Sequence, residues 1–470
     1  MTYVKAPMIP RPVIPMTREL AAKREVLEKT FHSMGLYILH LGAGYPNPEV
    51  TDPSSYKPRS DAYFKHLAER RSIPMSRLLT DMYGYTDTMG PVEPRKAFAH
   101  VYGADFGVDM HFGDLVPSLG ASGGMDLMCR LFESTGERIA YIVDKPTYNG
   151  FVARAQSHKG SSLFSVEMDQ EGPIPESLDR AVCRAREKGY FVAFYYTIPD
   201  GHNPMGISFS QKRREEIYRI AQNREFLITE DGAYNYIYYG TREKRPKPFM
   251  SMDPDKRVVH LFTASKIGFP GPRVGFVYAP GSLEIENGAV VPLTKLLSTA
   301  SATSILMHNP ESLRIFEAYL HDEAFNLRSS LWPIADEKLQ VYRENKIILM
   351  EGLTEFLGDH PDLFHWTVPE AGFFSVVTFL QGPHGTPVDS IKLAEWLLDK
   401  HQVTSVPMAS YYTSDPDSTE TTQGPTPGSN QLRLAFSYTE GIGDDRRRQM
   451  REAVVAFGKG IRERWGLKPI

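Results

Sequence analysis

Residues 263–275 read Thr-Ala-Ser-Lys-Ile-Gly-Phe-Pro-Gly-Pro-Arg-Val-Gly. A β-branched, apolar run precedes them (Arg257 to Phe262, RVVHLF), and a second follows from Val274 to Tyr278 (VGFVY). Both predict strands. The turn between them carries two hydroxyls, Thr263 and Ser265, then Lys266, a Gly-Phe-Pro-Gly-Pro bend and Arg273. A lysine at a strand exit, flanked by hydroxyls and an arginine, can hold an aldehyde while its neighbours hold a phosphate on the same molecule. The plain reading is a solvated loop made soluble by its charges, and short motifs do match by chance. The rest of the chain must separate the two.

From about residue 115 strands and helices alternate. Strands are expected over Ile139–Val143, Leu163–Val166, Phe191–Thr197, Phe226–Thr229 and Val258–Phe262, with helices between several of them, such as Gln211–Asn223. That order predicts an α/β fold with a mostly parallel sheet between helices. In such sheets ligands bind beyond the carboxyl ends of the strands. Leu115–Leu119 runs into Gly120-Ala121-Ser122-Gly123-Gly124, small residues that open a helix and leave backbone N–H groups free for a phosphate. No Gly-Lys-Ser/Thr and no GxGxxG follows, which disfavours a nucleotide. Successive strand exits then present Tyr148, Asn203 with His202 before it, and Asp231 with Tyr234. Each has an ordinary explanation, as packing, turn former or helix cap. Together with Lys266 and Arg273 they describe a site for pyridoxal 5′-phosphate.

Toward the N-terminus, Pro7, Pro10, Pro12 and Pro15 predict an extended arm over 1–16, and Thr17 caps a helix continuing through Leu36. A strand over Tyr37–Leu41 opens into Gly42-Ala43-Gly44-Tyr45-Pro46, a turn where backbone can approach a ligand. Tyr85 lies in a second Gly/Tyr segment. Toward the C-terminus, helices are expected over Ser312–Leu331 and Ala335–Leu357. Beyond them come a strand over Ala371–Leu380, a helix over Ser390–His401, and strands over Val403–Pro407 and Leu432–Ser437. A closing helix over Asp444–Arg464 completes this smaller α/β unit. The expected division is an arm (1–16), a small domain (17–60 with 335–470) and a large cofactor-binding domain (61–334).

Composition sets bounds. The 470 residues are 41% hydrophobic and 23% charged, as in globular proteins. A net charge of −4 supplies no basic field for nucleic acid. Two cysteines are too few for a disulfide framework. No apolar run is long enough to cross a membrane, and the first residues lack the apolar core of a secretory signal. A cytoplasmic enzyme is the expectation.

On these residues the chain resembles the class I/II aminotransferases of PLP fold type I, over roughly residues 35–460. SKIGFPGPRVG is similar to the Ser-Lys-x-Gly-x-Pro-Gly-x-Arg turn of the valine–pyruvate transaminase and ACC-synthase branches. GHNPMG and EDGAY resemble the NPTG and D-x-x-Y motifs of the kynurenine, α-aminoadipate and aromatic aminotransferases. The resemblance implies a large domain with a seven-stranded type of sheet, a smaller α/β domain, and a homodimer with shared active sites. It implies that Lys266 carries the cofactor as a Schiff base and moves a proton, that Asp231 pairs with the ring nitrogen, and that Tyr148 stacks on the ring. Asn203 and Tyr234 would meet the ring oxygen, and Ala121, Ser122, Gly123, Thr263, Ser265 and Arg273 the phosphate. Tyr85 would reach the partner's cofactor. Arg433 would grip the substrate α-carboxylate, with Gly44, Tyr45 and Asn203 beside it.

The implied reaction moves an amino group between an L-amino acid and a 2-oxo acid. Lyases, cyclising synthases and oxidases use the same lysine, aspartate and arginine, so that alternative stays open. The chain departs from the pattern at Ala121-Ser122-Gly123, at Met205 and at His202, read as a solvated loop histidine. The segments 50–59 and 414–430 are expected to border the mouth of the site.

Overall fold

The computed structural model describes residues 22, 37–413, 415, 416 and 426–470. The arm expected over 1–16, the helix expected over 17–36 and most of the 414–430 loop lie outside the described residues. The first strand, β1 (Leu39–His40), is shorter than expected. Seven strands that build the large sheet follow in chain order with one edge piece: β2 (Leu115–Leu119), β3 (Ile139–Lys145), β4 (Ser161–Asp169), β5 (Gly172–Pro173), β6 (Phe191–Thr197), β7 (Leu227–Asp231), β8 (Val258–Thr263) and β9 (Val274–Tyr278). Their spatial order is β2-β9-β8-β7-β6-β3-β4-β5. The ladders β4–β3–β6–β7–β8 are parallel, while β9 runs antiparallel to both β8 and β2. The eighth strand is only the two-residue β5, so the expected seven-stranded type of sheet is present with a short added edge.

The central strands are buried along nearly their whole length, as FVAFYYT and VVHLFT are, because helices cover both faces of the sheet. On one face Phe98 and Tyr102 of α1 (Val92–Phe106) pack against Phe262 and Phe276, and Phe106 against Tyr236. On the other, Phe132 of α2 (Gly120–Glu133) joins Tyr141, Phe151, Phe194 and Tyr196. Each such ring contributes on the order of 1.5–3 kcal/mol by leaving water, before the entropy of ordering it is charged. The helix α3 (Gln211–Arg224) starts where the Ser210 hydroxyl accepts the Arg213 N–H.

A four-stranded antiparallel sheet forms from β10 (Phe364–Trp366), β11 (Phe374–Phe379), β13 (Val406–Pro407) and β14 (Gln431–Ala435), in the order β10-β11-β14-β13. The strand expected over Val403–Pro407 is in fact two. Residues Val403–Thr404 (β12) pair with β1, Ser405 breaks the line, and β13 pairs with β14. Three helices flank this unit: α4 (Trp332–Leu357), α5 (Ser390–His401) and α6 (Gly443–Trp465). Their apolar faces meet the sheet around Phe356, Phe379, Leu397, Phe457 and Trp465.

One helix is shorter than its sequence pattern. The helix expected over Ser312–Leu331 spans Pro310–Tyr319. Beyond it the Asp322 carboxylate accepts the backbone N–H groups of Ala324 and Asn326, a local turn that competes with the helix, and Phe325 takes φ 64°.

Candidate active site

A cavity of about 910 Å³ lies beyond the carboxyl ends of the parallel strands and reaches the four-stranded sheet. Its floor is the turn after β8. The Thr263 hydroxyl accepts the Ser265 N–H and donates to the Ser265 oxygen (2.9 Å). Arg273 closes the group by donating to Ser265 Oγ (2.9 Å) and to the Leu119 carbonyl (2.9 Å), at the start of α2. Arg273 holds φ 58°, a left-handed conformation that an L-residue enters at a cost of roughly 1–2 kcal/mol, so the surrounding contacts fix it there. Gly120 at the opening of α2 has φ +71°, and a Cβ on it would sit 2.7 Å from Arg273 Nη2 and 3.1 Å from Thr263 Oγ1. Ala121 and Ser122 line the cavity from the same helix end. This is a cradle of N–H groups, hydroxyls and one guanidinium, suited to a phosphate.

Lys266 enters the same cavity. Its Nζ donates to the Gly44 carbonyl (3.1 Å) and stands 5.7 Å from the centre of the Tyr234 ring. Asp231 ends β7 in the floor, buried, with Tyr196 Oη donating to one oxygen (2.8 Å) and the Ala233 N–H to the other (3.2 Å). Burial pushes its carboxyl above the usual range, against the lowering by Tyr196, Ala233, His260 and Lys266. A cationic ring nitrogen beside it would relieve that cost. Tyr148 and Asn203 line the cavity from the exits of β3 and β6.

Arg433 reaches it from β14. Its Nη1 donates to Asn203 Oδ1 (2.9 Å), its Nη2 to the Gly42 carbonyl (3.1 Å), and Phe374 covers one face at 4.2 Å. Arg433 Nε is buried and has no partner among the described residues. Tyr45 lines the wall beside it.

The amine, the phosphate cradle, the buried carboxylate and the aromatic walls fit pyridoxal 5′-phosphate. Of the residues expected in the site, two stand apart. Gly123 does not line the cavity, because the helical rotation that brings Ala121, Ser122 and Met125 to it turns Gly123 toward Ser118 and Leu119. Tyr85 is 87% exposed on the outer surface. The segment 50–59 does not line the cavity either: Val50 packs into the core, Pro53–Ser55 form a short helical turn, and Lys57 opens a 14-residue helix that runs to Arg70. His202 is not solvated. It is wholly buried, with Nε2 3.2 Å from Asp144 Oδ2.

The sequence did not single out Tyr196 or Phe374. Tyr195 and Tyr196 are adjacent on β6, so period-two alternation puts one phenol on each side of the sheet without saying which meets Asp231.

Fold and site together define an α/β protein with a cavity that fits pyridoxal 5′-phosphate. The aminotransferase class I and II family model matches residues 68–436, and the chain belongs to that family. Among curated relatives, the (S)-3,5-dihydroxyphenylglycine transaminase of Amycolatopsis orientalis is 27% identical over 85% of this chain and 83% of its own length. The aromatic-amino-acid aminotransferase 1 of Thermococcus litoralis is 28% identical over 64% of this chain and 66% of its own. The mitochondrial kynurenine/alpha-aminoadipate aminotransferase of Bos taurus is 28% identical over 62% and 64%. Among solved structures, an archaeal alanine:glyoxylate aminotransferase superposes with TM-score 0.76 at 24% identity, covering 96% of each chain. The kynurenine aminotransferase of Pyrococcus horikoshii gives 0.74 at 22%, over 97% and 96%. The fold is that of the PLP fold type I aminotransferases, and the protein is a pyridoxal phosphate enzyme of amino-group transfer.

Proposed function

We propose that this site moves an amino group from an L-amino acid to a 2-oxo acid with Lys266, Asp231 and Arg433 in the principal roles. The carrying observation is that these three side chains and the phosphate cradle face one cavity. Bound pyridoxal phosphate supplies an aldehyde that takes the amino group and a ring that withdraws electrons. Thr263, Ser265, Arg273 and the start of α2 hold its phosphate, and Gly123 adds only backbone. Asp231 keeps a proton on the ring nitrogen, Tyr148 packs on the ring, and Asn203 and Tyr234 bond its ring oxygen. Lys266 Nζ takes and returns the proton at the substrate Cα. Arg433 grips the α-carboxylate through a charge-assisted fork, with Asn203, Gly44 and Tyr45 beside it.

Beyond the groups committed to these tasks the wall is largely apolar, including Met125, Ile198, Phe374 and Val406. Among the described residues the cations lining the cavity are Lys266, Arg273 and Arg433. A large apolar or aromatic donor side chain therefore fits better than a second carboxylate. The reading extends to a homodimer, supported by the exposed Tyr83, Tyr85 and Leu306, in which Tyr85 serves the partner's phosphate. It also includes the division into a small domain (17–60 with 335–470) and a large one (61–334). A cytoplasmic location is supported by two free cysteines and by the finding that no described helix is long and apolar enough to cross a membrane.

The test is a half-reaction. Mixed with an amino acid alone, the yellow protein should lose its colour as the pyridoxamine form accumulates, with phenylalanine or tyrosine giving about tenfold higher specificity than aspartate. Substrate consumption without the pyridoxamine form would replace transfer by lyase, cyclase or oxidase chemistry.

A further inference from the structure

The buried pair His202–Asp144 has no part in the chemistry above, yet it lies where two halves of the cofactor site must be held together. The β3–β6 ladder runs out at Val143 paired with Tyr196. Asp144 and Thr197 are the first residues past that point, where β3 stays paired with β4 and β6 with β7 but not with each other. From there β3 leads to Tyr148 and β6 to Asn203. No backbone pairing between β3 and β6 ties them across the gap.

Side chains take over where the ladder stops. Asp144, wholly buried, accepts the Thr197 hydroxyl (2.7 Å), the Tyr195 phenol and His202 Nε2 (3.2 Å). Three partners fill the hydrogen-bonding sites of this buried carboxylate. They also settle the histidine: Nε2 carries the proton that Asp144 accepts, and Nδ1 faces the Met205 N–H at 3.5 Å. The loop is closed on itself by the His202 N–H to the Ile207 carbonyl (2.7 Å) and the Gly206 N–H to the His202 carbonyl (2.6 Å). The ring of His202 is thus the one side chain of this loop that reaches Asp144, and the next residue is Asn203, which accepts from Arg433.

We propose that His202, through its bond to Asp144, is a positioning residue that sets Asn203 against Tyr148 across the cofactor ring and carries that setting to Arg433. The inference rests on the reading in which Asn203 and Tyr148 contact the cofactor. A donor of the right reach is what the position needs. Glutamine can present an N–H at about the distance of Nε2, whereas asparagine is too short and leucine has no donor.

The experiment dialyses purified holo-protein against graded pyridoxal phosphate and records the visible circular dichroism of the bound cofactor. The variants are His202→Gln, His202→Asn, His202→Leu and Asn203→Ala. The expected result is cofactor affinity weakened about tenfold and a reduced dichroic band in His202→Asn and His202→Leu, with His202→Gln within about twofold of the parent. Asn203→Ala should weaken binding at least as much. If His202→Leu does not fold, the Gln and Asn variants decide alone. Should Asn203→Ala weaken binding while His202→Asn leaves affinity and band unchanged, the pair is structural only and the proposal is overturned. His202→Gln behaving as poorly as His202→Asn would overturn it as well. Unchanged binding in Asn203→Ala would instead overturn the assigned role of Asn203, and the proposal with it.

Discussion

Arg433 is the residue on which the proposed carboxylate contact rests. Two of its nitrogens are spent on Asn203 and the Gly42 carbonyl, which fix the plane of the guanidinium, and Phe374 holds its face. Its buried Nε is left without a partner among the described residues, and a buried unpaired donor costs about 1–3 kcal/mol until an acceptor arrives. Substrate carboxylate is such an acceptor. Arg433→Ala should therefore lower kcat/KM by about 30- to 150-fold, equivalent to about 2–3 kcal/mol, mostly through KM. Steady-state kinetics with amino acid and oxo acid check this, and an unchanged KM would remove the assignment. His308 offers a second test at this scale. It is buried against Ser301, and burial pulls its imidazole down to about 4. The folded state thus refuses a proton that the unfolded chain takes near 6.5. The stability tied to neutral His308 is full above about pH 6.5 and is lost as pH falls toward 4, by an amount on the order of 2–3 kcal/mol. His308→Gln should flatten that part of the pH–stability curve in urea titrations, relative to the parent.

At the scale of elements, the strand exits and the turn after β8 were legible because their chemistry is local. Lys266, Asp231 and Asn203 each sit a few residues beyond a run of β-branched or aromatic residues, Arg273 sits directly before one, and the structure brings all four to one cavity. The split of the 403–407 strand was not legible. VTSVP is uniform in pattern, and only the two separate partners, β1 and β14, divide it. His202 was misread for a similar reason. A polar residue between Gly and Asn looks solvated until the carboxylate that buries it, 58 positions earlier, is placed beside it. Gly120 was visible only as one small residue among several, and its positive φ and its contact with Arg273 make it specific. Gly120→Ala should push the cradle apart and weaken cofactor binding about tenfold or more, with little change in secondary structure. Dialysis of the holo-protein would show the loss, while an unaltered affinity would mean that the cradle is not where the phosphate sits.

Across the whole molecule, a parallel sheet points its strand ends at the cavity and a smaller antiparallel sheet supplies Arg433 from the other side. Neither part alone contains both Lys266 and Arg433. The buried rings on each face of the large sheet give the rigid frame, and the Lys266 bond to the Gly44 carbonyl links the floor to the opposite wall. The central claim is that Lys266 is the residue joined to the cofactor. Borohydride reduction of the yellow protein followed by peptide mapping tests it most directly. The predicted result is one reduced adduct, on the peptide containing Lys266, and a colourless, inactive Lys266→Ala variant. An adduct on another lysine, or a Lys266→Ala protein that still turns over substrate, would contradict the account.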